Sequence, residues 1–413
     1  MKIEQIYTVC LAQGAYYIES DGEVAIIDPL RQVQPYLDRL TEAGAKLSYI
    51  FETHFHADFV SGHVTLSEKT NAPIIYGPDA NPEFEAIVAE DGQEFNLGKL
   101  TIKVLHTPGH TMESTTYLLK DENGKAHALF TGDTLFLGDV GRPDLAQKAA
   151  SMTQEELAGI LFDSLREKIM PLADDIIVYP AHGAGSACGK NMMKETVDTL
   201  GNQKKMNYAL RADMTKAEFV KEVTDGLLPP PAYFPMNVKL NKEGYESIDK
   251  VMAKGLQALS PEAFEAAANE TAAVMLDIRH QDEFAKSHIP GSIFIGLDGS
   301  FAPWVGDLIK DVAQTILLIG DEDRIEEAIT RLSRVGFDNT IGYLKGGFKS
   351  WIDASKETDT VETISAIDLK SIVEDAPVFD VRKPGEFQSE HLPNAVHTSL
   401  SEINEHLSEY PES

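Results

Sequence analysis

The sequence predicts a multidomain α/β protein on three observations. Short β-rich runs alternate with helical stretches over the first 200 residues, a proline-rich connector follows near residue 230, and a repeated α/β pattern lies beyond it. At 413 residues the chain is too long for one ordinary core, so two or three domains are expected.

Taken in order, AYYIES and EVAIIDP flank Asp21-Gly22, and Asp-Gly supplies the positive φ of a hairpin turn. LSYIFETH, APIIYG, LTIKVLHT, TYLLK, HALFTGD and IIVYPAH then read as strands, several ending at a His or an Asp. Such endings are what a site at one rim of a sheet looks like. Between them PYLDRLTEAG, QEELAGILFDSLREKI and KNMMKETVDTLGNQKKMNYALRA have helical spacing of apolar residues. GLLPPPAYFPM, residues 226–236, reads as a stiff, extended connector and not a helix. After it, VMLDI and TILLI read as buried strands alternating with helices.

The repeat is explicit. Asp277-Ile278-Arg279, Glu283-Phe284 and His288-Ile289-Pro290 recur as Asp380-Val381-Arg382, Glu386-Phe387 and His391-Leu392-Pro393, at a constant offset of 103 residues. The second copy stops at Ser413, about half way through, and a half module buries its sheet poorly. Either the natural chain is longer or the tail packs on something else. The expected boundaries are 1–240, a linker 241–261, a module 262–356 and a truncated copy 357–413.

Composition narrows the function. The chain is 43% hydrophobic and 25% charged, as a soluble globular protein is, and its formal net charge is −30. So negative a surface argues against nucleic acid or an anionic membrane as the partner. Two cysteines, no secretory signal and no apolar run long enough to span a bilayer make the cytoplasm the expected location.

The chemistry sits in four turns that follow β-runs. Thr53-His54-Phe55-His56-Ala57-Asp58 places two imidazoles and a carboxylate at alternating positions, where an extended backbone projects them from one side. His106-Thr107-Pro108-Gly109-His110, Thr131-Gly132-Asp133 and Tyr179-Pro180-Ala181-His182 complete the series. With so few cysteines, a nitrogen/oxygen metal site is expected.

THFHADF, HTPGHT, TGD and YPAH, in this order and spacing, resemble the metallo-β-lactamase fold over the first 200 to 240 residues. The resemblance implies an αββα sandwich with metal at the sheet edge. Its hydrolases, such as glyoxalase II, carry His-x-His-x-Asp-His and two zinc ions, whereas here Phe59 follows Asp58 and cannot ligate. That departure favours one metal. The persulfide dioxygenase branch is the better match. It implies one Fe(II) per chain held by His56, His110 and Asp133, the facial triad of a non-haem oxygenase, with Zn(II) as the alternative. His54, Asp58 and His182 then orient the ligands, although spacing leaves His54 open as a direct ligand. Gly141-Arg142-Pro143-Asp144 resembles the same branch and makes Arg142 the cation for an anionic thiol. Cys188 lies six residues past His182 and is read either as a substrate contact or as a small core residue.

The C-terminal repeat, with Lys345-Gly346-Gly347-Phe348 and Trp351, resembles the rhodanese domain, which moves sulfane sulfur on a cysteine. The stretch matching its active loop, Ile319-Gly320-Asp321-Glu322-Asp323-Arg324, has no cysteine and carries extra acids, so a packing or spacing role is expected. Three functions compete. The first is oxygenation of a small persulfide, such as glutathione persulfide, with O2 to sulfite and thiol. The second is thioester hydrolysis at two zincs by His54, His56, Asp58, His110, Asp133 and His182. The third is an assembly scaffold. A homodimer is implied by the resemblance alone.

Overall fold

The computed structural model describes residues 1–373 and 376–411, so positions 374–375 and 412–413 of the expected second copy lie outside the described residues. The chain divides into two compact units, Met1–Ile248 and Asp249–Ser413.

The first unit is built on two six-stranded sheets. One contains β1 (Lys2–Thr8), β2 (Gln13–Ser20), β3 (Glu23–Ile27), β4 (Lys46–Phe51), β5 (Ile74–Tyr76) and β6 (Ile87–Val88) in that order. The other runs in the order β12-β11-β10-β9-β8-β7. Its strands are β7 (Glu94–Leu97), β8 (Leu100–His106), β9 (Thr115–Lys120), β10 (Ala126–Gly132), β11 (Ile177–Pro180) and β12 (Asp198–Thr199). Asp21 (φ 55) and Gly22 (φ 79) make the hairpin turn between β2 and β3.

Side chains alternate across a strand, and the cores follow that period. Tyr16 and Ile18, Ala25 and Ile27, Tyr117 and Leu119, and Ala128 and Phe130 face the layer between the sheets. Ala15 and Tyr17 turn to the outer face with Leu40 and Leu66 from helices Gln34–Ala43 and His63–Thr70. Leu118 and Leu129 turn to the other outer face with Leu161 and Phe219 from helices Gln154–Ser164 and Lys216–Thr224. The result is four layers, helix, sheet, sheet, helix, with strand ends along one rim.

Two expectations fail here. The long helix read from KNMMKETVDTLGNQKKMNYALRA is confined to Leu200–Met206 and a short 3-10 turn, Tyr208–Leu210. Upstream, the amides of Lys190 and Asn191 donate to Asp139 Oδ2 and that of Met193 to Leu137 O, which holds the backbone out of helix. The connector is also not extended throughout, because Phe234–Glu243 is a helix. Pro235 sits in its first turn, where a missing N–H costs nothing. A further helix, Ile248–Gly255, occupies part of the span read as linker.

The second unit has a five-stranded parallel sheet in the order β13-β17-β16-β14-β15, formed by β13 (Ala258–Leu259), β14 (Val274–Asp277), β15 (Ile293–Phe294), β16 (Ile316–Ile319) and β17 (Thr340–Leu344). Phe264, Leu317, Ile319, Leu344 and Trp351 form its core. The repeat is reproduced in contacts. Arg279 pairs with Asp277 at 2.6 Å and donates to Ser287 O, and Arg382 pairs with Asp380 at 2.6 Å and donates to Glu390 O. β18 (Phe379–Asp380) and β19 (Val396–His397) pair in the register of β14 and β15. This half copy leans on the first module through Asn404 Nδ2 to Leu308 O and the Asp359–His288 bridge. Its Ile367 and Leu407 remain exposed.

Asp307, on helix Phe301–Leu308, has its carboxyl raised to about 6 by burial. A raised folded-state value favours the neutral acid, so its contribution is complete below the unfolded value near 3.8 and is lost as pH rises through about 6. Asp307→Asn is therefore expected to stabilise the protein by about 1 kcal/mol at pH 8, a figure discounted for partial solvent exposure. Melting curves at pH 5 and pH 8 check this. A gain larger at pH 5 contradicts it.

Candidate metal centre

The site is assembled at the rim by strand ends. β4 stops at Phe51, and the chain then turns, so the next residues no longer alternate about a sheet. His54 and His56 consequently go separate ways, with ring centroids 4.2 Å apart and planes at 53°. His54, His110 and Asp133 form one buried group, their ligand atoms within 4.8 Å of one another. His56 instead joins Asp28 and Glu52. This departs from the expected triad of His56, His110 and Asp133, and the physical reason is that the turn breaks the period-two projection.

The hydrogen bonds set the tautomers. Asp28, at the end of β3, accepts from Thr53 N at 2.8 Å and Thr53 Oγ1 at 2.9 Å. With its proton given to Asp28, Thr53 Oγ1 accepts from His54 Nδ1 at 3.0 Å. His110 Nδ1 donates to Arg142 O at 2.8 Å, since a carbonyl only accepts. Both rings thus carry a proton on Nδ1 and turn Nε2 toward Asp133 Oδ2, at 3.8 Å for His54 and 3.5 Å for His110. Asp133 Oδ2 is buried without a hydrogen-bond partner. Two imidazole Nε2 atoms and an orphaned carboxylate oxygen fit a divalent transition metal. Burial and the neighbouring His56 hold His54 well below the usual imidazole value. Gly132 makes the delivery of Asp133 feasible, because at φ 52 an added Cβ would lie 2.6 Å from Thr53 Oγ1.

Thr53→Val removes the hydroxyl that couples Asp28 to His54. It is expected to weaken metal binding about 10- to 100-fold with the fold retained. Chelator competition on the variant checks it, and unchanged affinity rejects the tautomer argument.

His182 lies beside this group. Its Nδ1 bonds Asp133 Oδ1 at 2.7 Å, and its Nε2 is 2.8 Å from Asp58 Oδ2. Burial opposes a charge on His182, yet Asp133 and Asp58 raise its pKa well above the usual imidazole value. Burial likewise works against Asp133, which His182 and His54 nevertheless hold below the carboxylate range. Asp58, His182 and Cys188 form a second group within 4.8 Å. Burial, with Asp58 and Asp133 nearby, pushes the Cys188 thiol well up, so without a metal it is a neutral thiol and not a nucleophile. Phe59 is fully buried and packs 4.3 Å from the His56 ring.

Arg142 does not present a free cation. Its guanidinium bonds both Asp144 oxygens at 2.7 Å, Ala187 O and Leu228 O, and its side chain is 6% exposed. Its link to the site is its carbonyl on His110. Sequence reading missed Asp28, Glu52, Thr53 and Asn241 as site-building residues. Asn241 Nδ2 donates to His56 O and Phe59 O, bracing the turn from 185 and 182 residues away. The ending of EVAIIDP at Asp28 was the one readable signal, because it matches the other strand ends.

Residues 9–182 match the metallo-β-lactamase superfamily and residues 260–354 a rhodanese-like domain. A metallo-β-lactamase structure from Staphylococcus aureus superposes with a TM-score of 0.73 at 32% identity, covering 83% of this chain and 98% of that one. The chain belongs to the metallo-β-lactamase superfamily. Within that superfamily it is similar to two kinds of enzyme. It is 29% identical to the human mitochondrial persulfide dioxygenase ETHE1 over 225 residues, 53% of this chain and 78% of that one. The ETHE1 structure from Myxococcus xanthus gives a TM-score of 0.50 at 28% identity, covering 59% and 98%. The hydroxyacylglutathione hydrolase of Brucella ovis is 34% identical over 188 residues, 44% of this chain and 66% of that one. The metallo-β-lactamase unit thus sits in an enzyme superfamily with a metal-binding rim, joined to a rhodanese-like domain. Among the described residues no helix is long and apolar enough to cross a membrane.

Proposed function

We propose that the chain is a persulfide dioxygenase, oxidising a small persulfide such as glutathione persulfide with O2 to sulfite and the free thiol. His54, His110 and Asp133 would hold one ferrous ion. The observation that carries this reading is that group itself, two Nε2 atoms facing an orphaned carboxylate oxygen, together with the similarity to persulfide dioxygenases. Two imidazoles and one carboxylate are the donor set of a non-haem iron oxygenase, and a ferrous ion bound there would supply the redox chemistry.

The chain's own residues position and protect. Thr53 and the Arg142 carbonyl fix the two imidazoles with their protons on Nδ1. His182 holds a proton against Asp133 Oδ1, which leaves Oδ2 as the donor oxygen. The paired Arg142 guanidinium ties loop residue Ala187 to the segment that holds Asp144, shaping the wall beside Cys188. The first rhodanese-like module contains no cysteine, so sulfur transfer is not assigned to it.

A second reading, a binuclear zinc thioester hydrolase, is favoured by one observation. Asp58, His182 and Cys188 converge where Phe59 leaves a ligand missing. Two parallel assays separate the readings: oxygen uptake with sulfite release from glutathione persulfide by iron-loaded chain, and cleavage of S-lactoylglutathione by zinc-loaded chain. Uptake without cleavage supports the dioxygenase. Cleavage without uptake overturns it in favour of the hydrolase.

A further inference from the structure

We propose a second cation site in the first unit, distinct from the triad of His54, His110 and Asp133. Asp28, Glu52 and His56 hold a divalent first-row cation such as zinc. The three supply ligand atoms within 4.8 Å of one another, all from buried side chains. His56 Nε2 lies 3.1 Å from Asp28 Oδ1 and 3.6 Å from Glu52 Oε2, and these side chains are at most 1% exposed. Donors bound at ~2.0–2.2 Å to one ion sit about 3 to 3.6 Å from each other, so the spacing suits a shared cation.

The unsatisfied atoms point the same way. Glu52 Oε2 and both His56 nitrogens are buried without hydrogen-bond partners, as are both nitrogens of His63, whose Nδ1 is 3.5 Å from Glu52 Oε1. Native interiors leave few such atoms, and several around one point call for an occupant. Two buried carboxylates are costly when uncompensated, and a divalent ion cancels their charge. The donor set of two carboxylates and one imidazole suits zinc, manganese or iron better than calcium or magnesium, which prefer oxygen alone.

The site has a consequence for the first one. Asp28 is also the acceptor that orients Thr53, and Thr53 fixes the His54 ring. An ion on Asp28 pins that chain and so acts as a structural support for His54. This rests on the triad of the proposed dioxygenase, because the binuclear hydrolase reading takes His56 into its own centre.

The test uses the full chain, incubated with zinc chloride alone and exchanged into zinc-free buffer, then crystallised and measured above the zinc absorption edge. The expected result is an anomalous peak among Asp28, Glu52 and His56 in addition to one at the triad, with zinc content of about two ions per chain. Glu52→Gln is expected to lose the first peak, keep the second and fall to about one ion per chain. An empty cluster beside a filled triad overturns the proposal, as does His56 turned onto the triad ion. Should Glu52→Gln fail to fold, the wild-type map decides alone.

Discussion

His54→Ala is expected to strip the metal from the triad and to lower oxygen uptake on persulfide by more than about 100-fold. Changes to groups that merely orient a ligand cost about 10- to 100-fold, and a ligand itself costs more. His56→Ala is expected to leave iron at the triad, because His56 faces Asp28 and Glu52 instead. The pair discriminates sharply, since both residues belong to one His-x-His motif and only their orientation differs. Iron content and oxygen uptake, measured on both variants, check it. Iron lost from His56→Ala and kept by His54→Ala reverses the assignment.

Gly109→Ala is expected to destabilise the first unit by about 3 kcal/mol, combining a left-handed backbone with overpacking. Gly109 has φ 133, and a Cβ there would lie 2.4 Å from both Cα and N of Leu161. Those are backbone atoms in the middle of helix Gln154–Ser164, which cannot swing aside as a side-chain tip can. The helix must retreat or the turn must, and His110 moves with the turn. Gly124→Ala is the control, because its φ of 75 carries the backbone penalty with nothing within 4 Å. It should cost about 1 kcal/mol. Denaturant melts of the two variants check the difference, and equal losses reject the packing argument.

The layered fold was readable because strands such as Gln13–Ser20 and Thr115–Lys120 send alternate residues to opposite cores, and several strand ends change abruptly to His, Asp, Gly or Pro. The repeat was readable because an offset of 103 residues survives in Asp277 and Asp380 with their arginines. What escaped depends on tertiary geometry. Whether His54 or His56 meets Asp133 is decided by where β4 stops, which the apolar run through Phe51 does not disclose. Arg142 reads as a free cation until Asp144 is seen to accept from it at 2.7 Å. Cys188 gains meaning only when its loop folds back beside Asp58 and His182. Asn241 braces the metal turn from helix Phe234–Glu243, which begins inside the stretch that reads as an extended connector.

Anomalous diffraction at the iron edge, on crystals of the full chain loaded with ferrous iron without oxygen, asks the decisive question. We expect a peak bounded by Nε2 of His54, Nε2 of His110 and Oδ2 of Asp133, and none among Asp58, His182 and Cys188. A pair of peaks sharing Asp133, the second seated on Asp58, His182 and Cys188, contradicts the single-iron dioxygenase.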